Sequence, residues 1–68
     1  SPMPDTDEGK EQWNYHMAFL KRRKAYILID KKRYSEAKQL LKEMLNDPLS
    51  KDFAEGELKY IKQMMQAK

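Results

Sequence analysis

Residues 25–48, AYILIDKKRYSEAKQLLKEMLNDP, hold two apolar patches separated by three cations and closed by Asp-Pro. The first patch, Ala25 to Ile29, ends at Asp30, and Lys31-Lys32-Arg33 then interrupts the apolar pattern without Gly or Pro. The pattern resumes at helical spacing with Ala37, Leu40, Leu41, Met44 and Leu45 on one face and Glu36, Lys38, Lys42 and Glu43 on the other. Ser35 is placed to cap this second helix, with Glu36 favourable at the positive end of its dipole. Asn46-Asp47-Pro48 ends it, because proline cannot continue the hydrogen-bond ladder and forces the residue before it out of helical geometry. The stretch predicts two helices joined by a tight, charged turn.

On the N-terminal side the helical pattern runs back to about Gly9. Trp13, Met17, Leu20, Ile27 and Leu28 fall near one seam, interrupted by Lys24, with Ala18 and Ala25 seven residues apart. Trp13 is expected in the core, whereas Tyr15, Phe19 and Tyr26 lie off the seam, with Tyr15 and Tyr26 expected at the surface. Residues 1–8, with two Pro, two Asp and a Glu, read as a flexible acidic lead, in which Asp5 and Glu8 have the spacing of a capping box. On the C-terminal side, Ser50 is a candidate cap for a third helix carrying Phe53, Ala54, Leu58, Ile61, Met64 and Met65 on one face. Glu55 and Lys59 are an i,i+4 pair, and Gly56 either weakens this helix or marks a close crossing. The expected helices cover about 9–31, 35–46 and 50–66 of a single domain, 9–68.

Several residues of the central stretch resemble a tetratricopeptide repeat. Ala25 lies twelve before Ala37, Tyr34 three before it, Leu28 takes the large first-helix position, and Asp47-Pro48 resembles the family's closing pair. The resemblance implies an all-α fold: a three-helix, tetratricopeptide-like helix-turn-helix in which residues from Ser50 onward form an additional C-terminal, capping helix. Small residues would let the paired helices approach, and the tyrosine would pack over their turn. The unit departs from the family at Lys21, Lys24, Leu41 and Met44, and its Pro arrives one residue early. A three-helix bundle similar to the microtubule-interacting and trafficking domain is the rival, although the longer second connection of that fold is missing. One repeat cannot bury its apolar face alone, so the resemblance implies a homo-oligomer, adjacent repeats of a longer chain, or a bound partner.

The composition supports a helical domain. The chain has 68 residues, 40% hydrophobic and 37% charged, with two Gly and three Pro. A domain of about 60 residues buries only about 60% of the surface its unfolded chain exposes. Cys is absent, which removes disulfides, thiolate metal sites and a cysteine nucleophile. No glycine-rich phosphate loop or serine-centred elbow occurs, and the one histidine, His16, has no evident catalytic or metal-binding partner. No enzyme activity, cofactor or metal is therefore expected. The longest apolar run, Tyr26 to Ile29, is far short of the roughly 20 residues of a membrane span, and no secretory signal is apparent, so the expected compartment is the cytoplasm.

The net charge of +3 is unevenly placed. Between residues 21 and 33, seven basic residues face one acid, Asp30, whereas residues 34–68 are neutral. Such a cluster can neutralise phosphates, so one expectation is an electrostatic adaptor for nucleic acid or an anionic membrane. Four consecutive helical residues point in several directions, however, which disfavours both surfaces. The leading expectation is a protein-protein interaction module or scaffold that binds a helical or extended, acidic peptide. Its candidate contact residues are Tyr15, Phe19, Arg22, Arg23, Tyr26, Lys31, Lys32 and Arg33, since rigid aromatics and arginines anchor many interfaces.

Overall fold

The computed structural model describes residues 4–67, and its architecture is all-helical, with no strand among the described residues: α1 (Asp7–Asp30), α2 (Tyr34–Met44) and α3 (Lys51–Gln66). The first three residues of the expected acidic lead, and Lys68, lie outside the described residues. Asp7 and Glu8 belong to α1 rather than to a lead, because Thr6, not Asp5, is the cap. Its hydroxyl oxygen accepts from the Gly9 N–H at 3.0 Å, and the two acids then occupy the positive end of the helix dipole. Gly9 is needed there, since a Cβ at that position would stand 2.6 Å from the Pro4 Cβ and 2.8 Å from the Thr6 hydroxyl.

The charged turn closes α1 without glycine. Lys32 adopts φ 60°, the left-handed region. With that geometry the Lys32 N–H donates to the Ile29 carbonyl at 2.9 Å and the Arg33 N–H to the Leu28 carbonyl at 2.9 Å, the paired bonds of a Schellman motif. The reversal is so tight that α2 starts at Tyr34, with Arg33 as its cap residue. Ser35 therefore lies inside the first turn, and the expected serine cap does not form. The Arg33 carbonyl accepts the Ala37 N–H instead.

The second connection is built on Asp47. One carboxylate oxygen accepts from the Leu49 N–H at 3.1 Å and the other from the Ser50 hydroxyl at 3.2 Å. Ser50 holds the cap position of α3, but its fully buried hydroxyl is turned to Asp47 rather than to the helix; its backbone carbonyl accepts from Ala54.

Each helix brings one fully buried alanine to the centre, Ala25, Ala37 and Ala54, around which Leu28, Ile29, Leu41, Met44 and Ile61 close. Alanine at the crossing points lets backbones approach closely, so α1 packs on α2 and α2 on α3. Tyr34, Leu40, Leu45, Phe53 and Leu58 finish the core from its edges. The face of α1 that enters the core differs from the expected seam. Ala18, Ala25, Leu28 and Ile29 are buried, whereas Leu20 and Ile27 are exposed. At 3.6 residues per turn, Leu20 and Ile27 stand about 140–160° around the helix from Ala25. Trp13 is half-buried rather than a core residue. The molecule is elongated, 50 × 20 × 13 Å, because the 24-residue α1 is itself about 36 Å long at 1.5 Å per residue.

Candidate functional site: an aromatic and arginine face shared by α1 and α3

Tyr15, Phe19, Arg22 and Tyr26 follow the i, i+4, i+7, i+11 spacing that keeps side chains on one stripe. This stripe flanks the buried Ala18-Ala25-Ile29 face on the side away from Leu20 and Ile27. Tyr15, Phe19 and Tyr26 are all more than half or about half exposed, at 56%, 58% and 50%.

α3 supplies the facing residue. The Phe53 ring meets the Tyr26 ring edge-to-face, with centroids 5.3 Å apart and planes at 80°, and the Arg22 guanidinium carbon lies 5.5 Å from the same ring centre. An edge-to-face pair directs the positive ring edge at the negative face, and a guanidinium over an aromatic face gains from the same quadrupole. Each contact contributes about 0.5–1 kcal/mol at an exposed site and biases Arg22 and Tyr26 toward Phe53. Phe19, Arg22, Arg23 and Tyr26 line a shallow hollow of about 300 Å³ with no acidic residue in it. Tyr15 lies further along α1, where it borders a second hollow that holds Asp7, Glu11 and Asp47 beside Lys10, so the basic part of the face is confined to Phe19 through Tyr26.

Sequence reasoning placed Phe53 on an apolar stripe only and did not single out Tyr60. Both fall on the same side of α3, seven residues apart, and Tyr60 is 42% exposed. That spacing was a signal, but its meaning depends on α3 lying next to α1. Gly56 falls on this side as well. A Cβ there would meet nothing within 4 Å, so no close crossing explains the glycine.

The remaining expected contact residues are elsewhere. Lys31 caps the C-terminus of α1, Lys32 is the left-handed turn residue, and Arg33 caps α2. Arg33 also forms the one ion pair among the described residues, with Glu36, through contacts of 2.6, 2.9 and 3.2 Å. Both side chains are about half exposed, so the pair contributes at most about 1 kcal/mol. Lys24 turns away from Arg22 and Arg23, into a hollow that also holds Glu36 and Glu43. The basic segment is thus divided among three surfaces. Among the described residues, no group of His, Asp and Glu side chains is placed to hold a metal ion. No described helix is long and apolar enough to cross a membrane.

No protein-family model, curated protein or solved structure gives a significant match to this chain.

Proposed function

We propose that this domain is a non-catalytic protein-interaction module of the tetratricopeptide-like helix-turn-helix kind, and that the α1–α3 face receives a peptide segment from an acidic partner. The observation that carries the reading is the exposed row Tyr15, Phe19 and Tyr26 next to Arg22 and Arg23, held against Phe53 of the neighbouring helix. Aromatic residues offer large contact area with few rotatable bonds, and Arg adds bidentate recognition of carboxylates. A small domain with so many exposed aromatic groups on one face gains stability by covering them. The buried Ala25 and Ala37, with Tyr34 packed beside them, are consistent with a tetratricopeptide-like pairing of α1 and α2.

The test begins with peptides selected by display on the immobilised domain. A Tyr15→Ala/Phe19→Ala variant, whose exposed side chains make no part of the core, is expected to bind the selected peptide at least tenfold more weakly, about 1.4 kcal/mol. Its thermal midpoint is expected to stay unchanged. Wild-type affinity in that variant would exclude the α1–α3 face as the binding surface.

A further inference from the structure

The polar face of α2 is segregated by charge. Glu36 and Glu43, seven residues apart, border the hollow on the α1 side, and Lys24 of α1 shares that hollow. Lys38 and Lys42, one turn apart, border the groove on the α3 side. There the opposite wall carries Lys62, with Leu58, Ile61 and Met65 as an apolar floor. The α1–α2 groove carries both signs, one lysine against two glutamates. The α2–α3 groove has three lysines and no acid in its lining, and none of the three forms an ion pair among the described residues.

The groove has a volume of about 490 Å³ and adjoins a second hollow of about 380 Å³, bordered by Ser35, Lys38, Lys42 and Met65. From Ser35 to Lys42 along α2, and from Leu58 to Gln66 along α3, the trough spans roughly 10–12 Å, about two helical turns at 1.5 Å per residue. Its uncovered apolar surface comes from Met65, 51% exposed, and the half-buried Leu58, while Ile61 beneath them is buried in the core. An apolar floor two turns long between two helix walls matches the stripe of an amphipathic helix, which presents anchors at i, i+3 or i+4, and i+7. Lysines on both rims call for acids on both edges of that stripe. A second copy docked by this same face would instead bring lysines together.

We propose that the α2–α3 groove is a docking site for an acidic amphipathic helix of another protein, separate from the aromatic face and independent of that face's role. The apolar stripe of the helix covers Leu58 and Met65, which lie over the buried Ile61, and its flanking glutamates or aspartates pair with Lys38, Lys42 and Lys62. The six residues include three exposed lysines that contribute nothing to the core, so the charge can be changed without unfolding the domain.

The experiment uses two synthetic helical peptides with the same leucine stripe, one flanked by Glu and one by Lys. Binding is followed through the methyl signals of Ile61 and Met65 in the full chain. The Glu peptide is expected to shift these signals saturably in the wild type, with affinity falling as salt rises, and the Lys peptide is not. In a Lys38→Glu/Lys42→Glu/Lys62→Glu variant with an unchanged melting profile, the preference is expected to reverse, each affinity changing at least tenfold. The proposal is overturned if the Glu peptide leaves Ile61 and Met65 unmoved, shifts only Phe19 and Tyr26, or binds the reversed variant as tightly as the wild type.

Discussion

Lys32 holds a left-handed backbone conformation, φ 60°, that its side chain does nothing to justify. The side chain is exposed and makes no hydrogen bond or ion pair among the described residues, whereas the backbone supplies one of the two Schellman bonds. A left-handed L-residue costs about 1–2 kcal/mol, and glycine removes that cost. Glycine also enlarges the unfolded ensemble, which returns about 0.5–1 kcal/mol to the unfolded state. Lys32→Gly is therefore expected to stabilise the domain by about 0.5–1 kcal/mol. For a domain of this size that raises the thermal midpoint by about 2–8 °C. Circular dichroism melts and urea unfolding measure it. The paired control is Lys31→Gly, at φ −83°, where glycine has nothing to relieve and is expected to destabilise. Equal effects at the two positions, or a loss of stability in Lys32→Gly, would refute the reading that this turn is held in spite of its sequence. Binding at the α1–α3 face is expected to be unaffected, which would separate Lys32 from the contact residues.

Three further outcomes follow from local geometry. Asp47→Ala leaves the buried Ser50 hydroxyl and the Leu49 N–H without their acceptor and is expected to cost about 1–3 kcal/mol in urea unfolding; Asp47→Asn, which retains an acceptor, should cost less. Gly56→Ala meets open space within a helix and is expected to gain about 0.5–1 kcal/mol, measured by the same melts. Leu41→Ala empties a fully buried position and is expected to cost about 2–5 kcal/mol, enough in so small a core to abolish a cooperative transition.

The three helices and the positions of both breaks were legible because α2 and α3 have a single apolar stripe each, and because Pro48 and the Lys31–Arg33 run interrupt it. The inward face of α1 was not legible. Its core-facing groups are mainly Ala18 and Ala25, which carry little hydrophobic signal, while Leu20 and Ile27 form a stronger stripe that the structure leaves in water. For a similar reason Ser35 falls inside the first turn of α2, and Ser50, though it holds the cap position of α3, turns its hydroxyl away from the helix. Ser35 and Ser50 have the right chemistry, but the backbone bonds of the Schellman turn and the two-oxygen Asp47 anchor satisfy the chain first. At the candidate site, exposure of Tyr15 and Tyr26 followed from their offset from the seam. The cluster of Arg22, Tyr26 and Phe53 did not, since it joins residues 27 or more positions apart and exists only because the start of α3, packed on α2, brings Phe53 against α1.

The aromatic face of α1 and α3 is the proposed binding surface for a protein partner. Its most direct test is a backbone amide chemical-shift map of the full domain titrated with a display-selected peptide. The expected result is a continuous footprint over Tyr15, Phe19, Arg22, Tyr26, Phe53 and Tyr60. A saturable footprint confined to the Lys31–Arg33 turn, or to the outward stripe of Leu20 and Ile27, would contradict it.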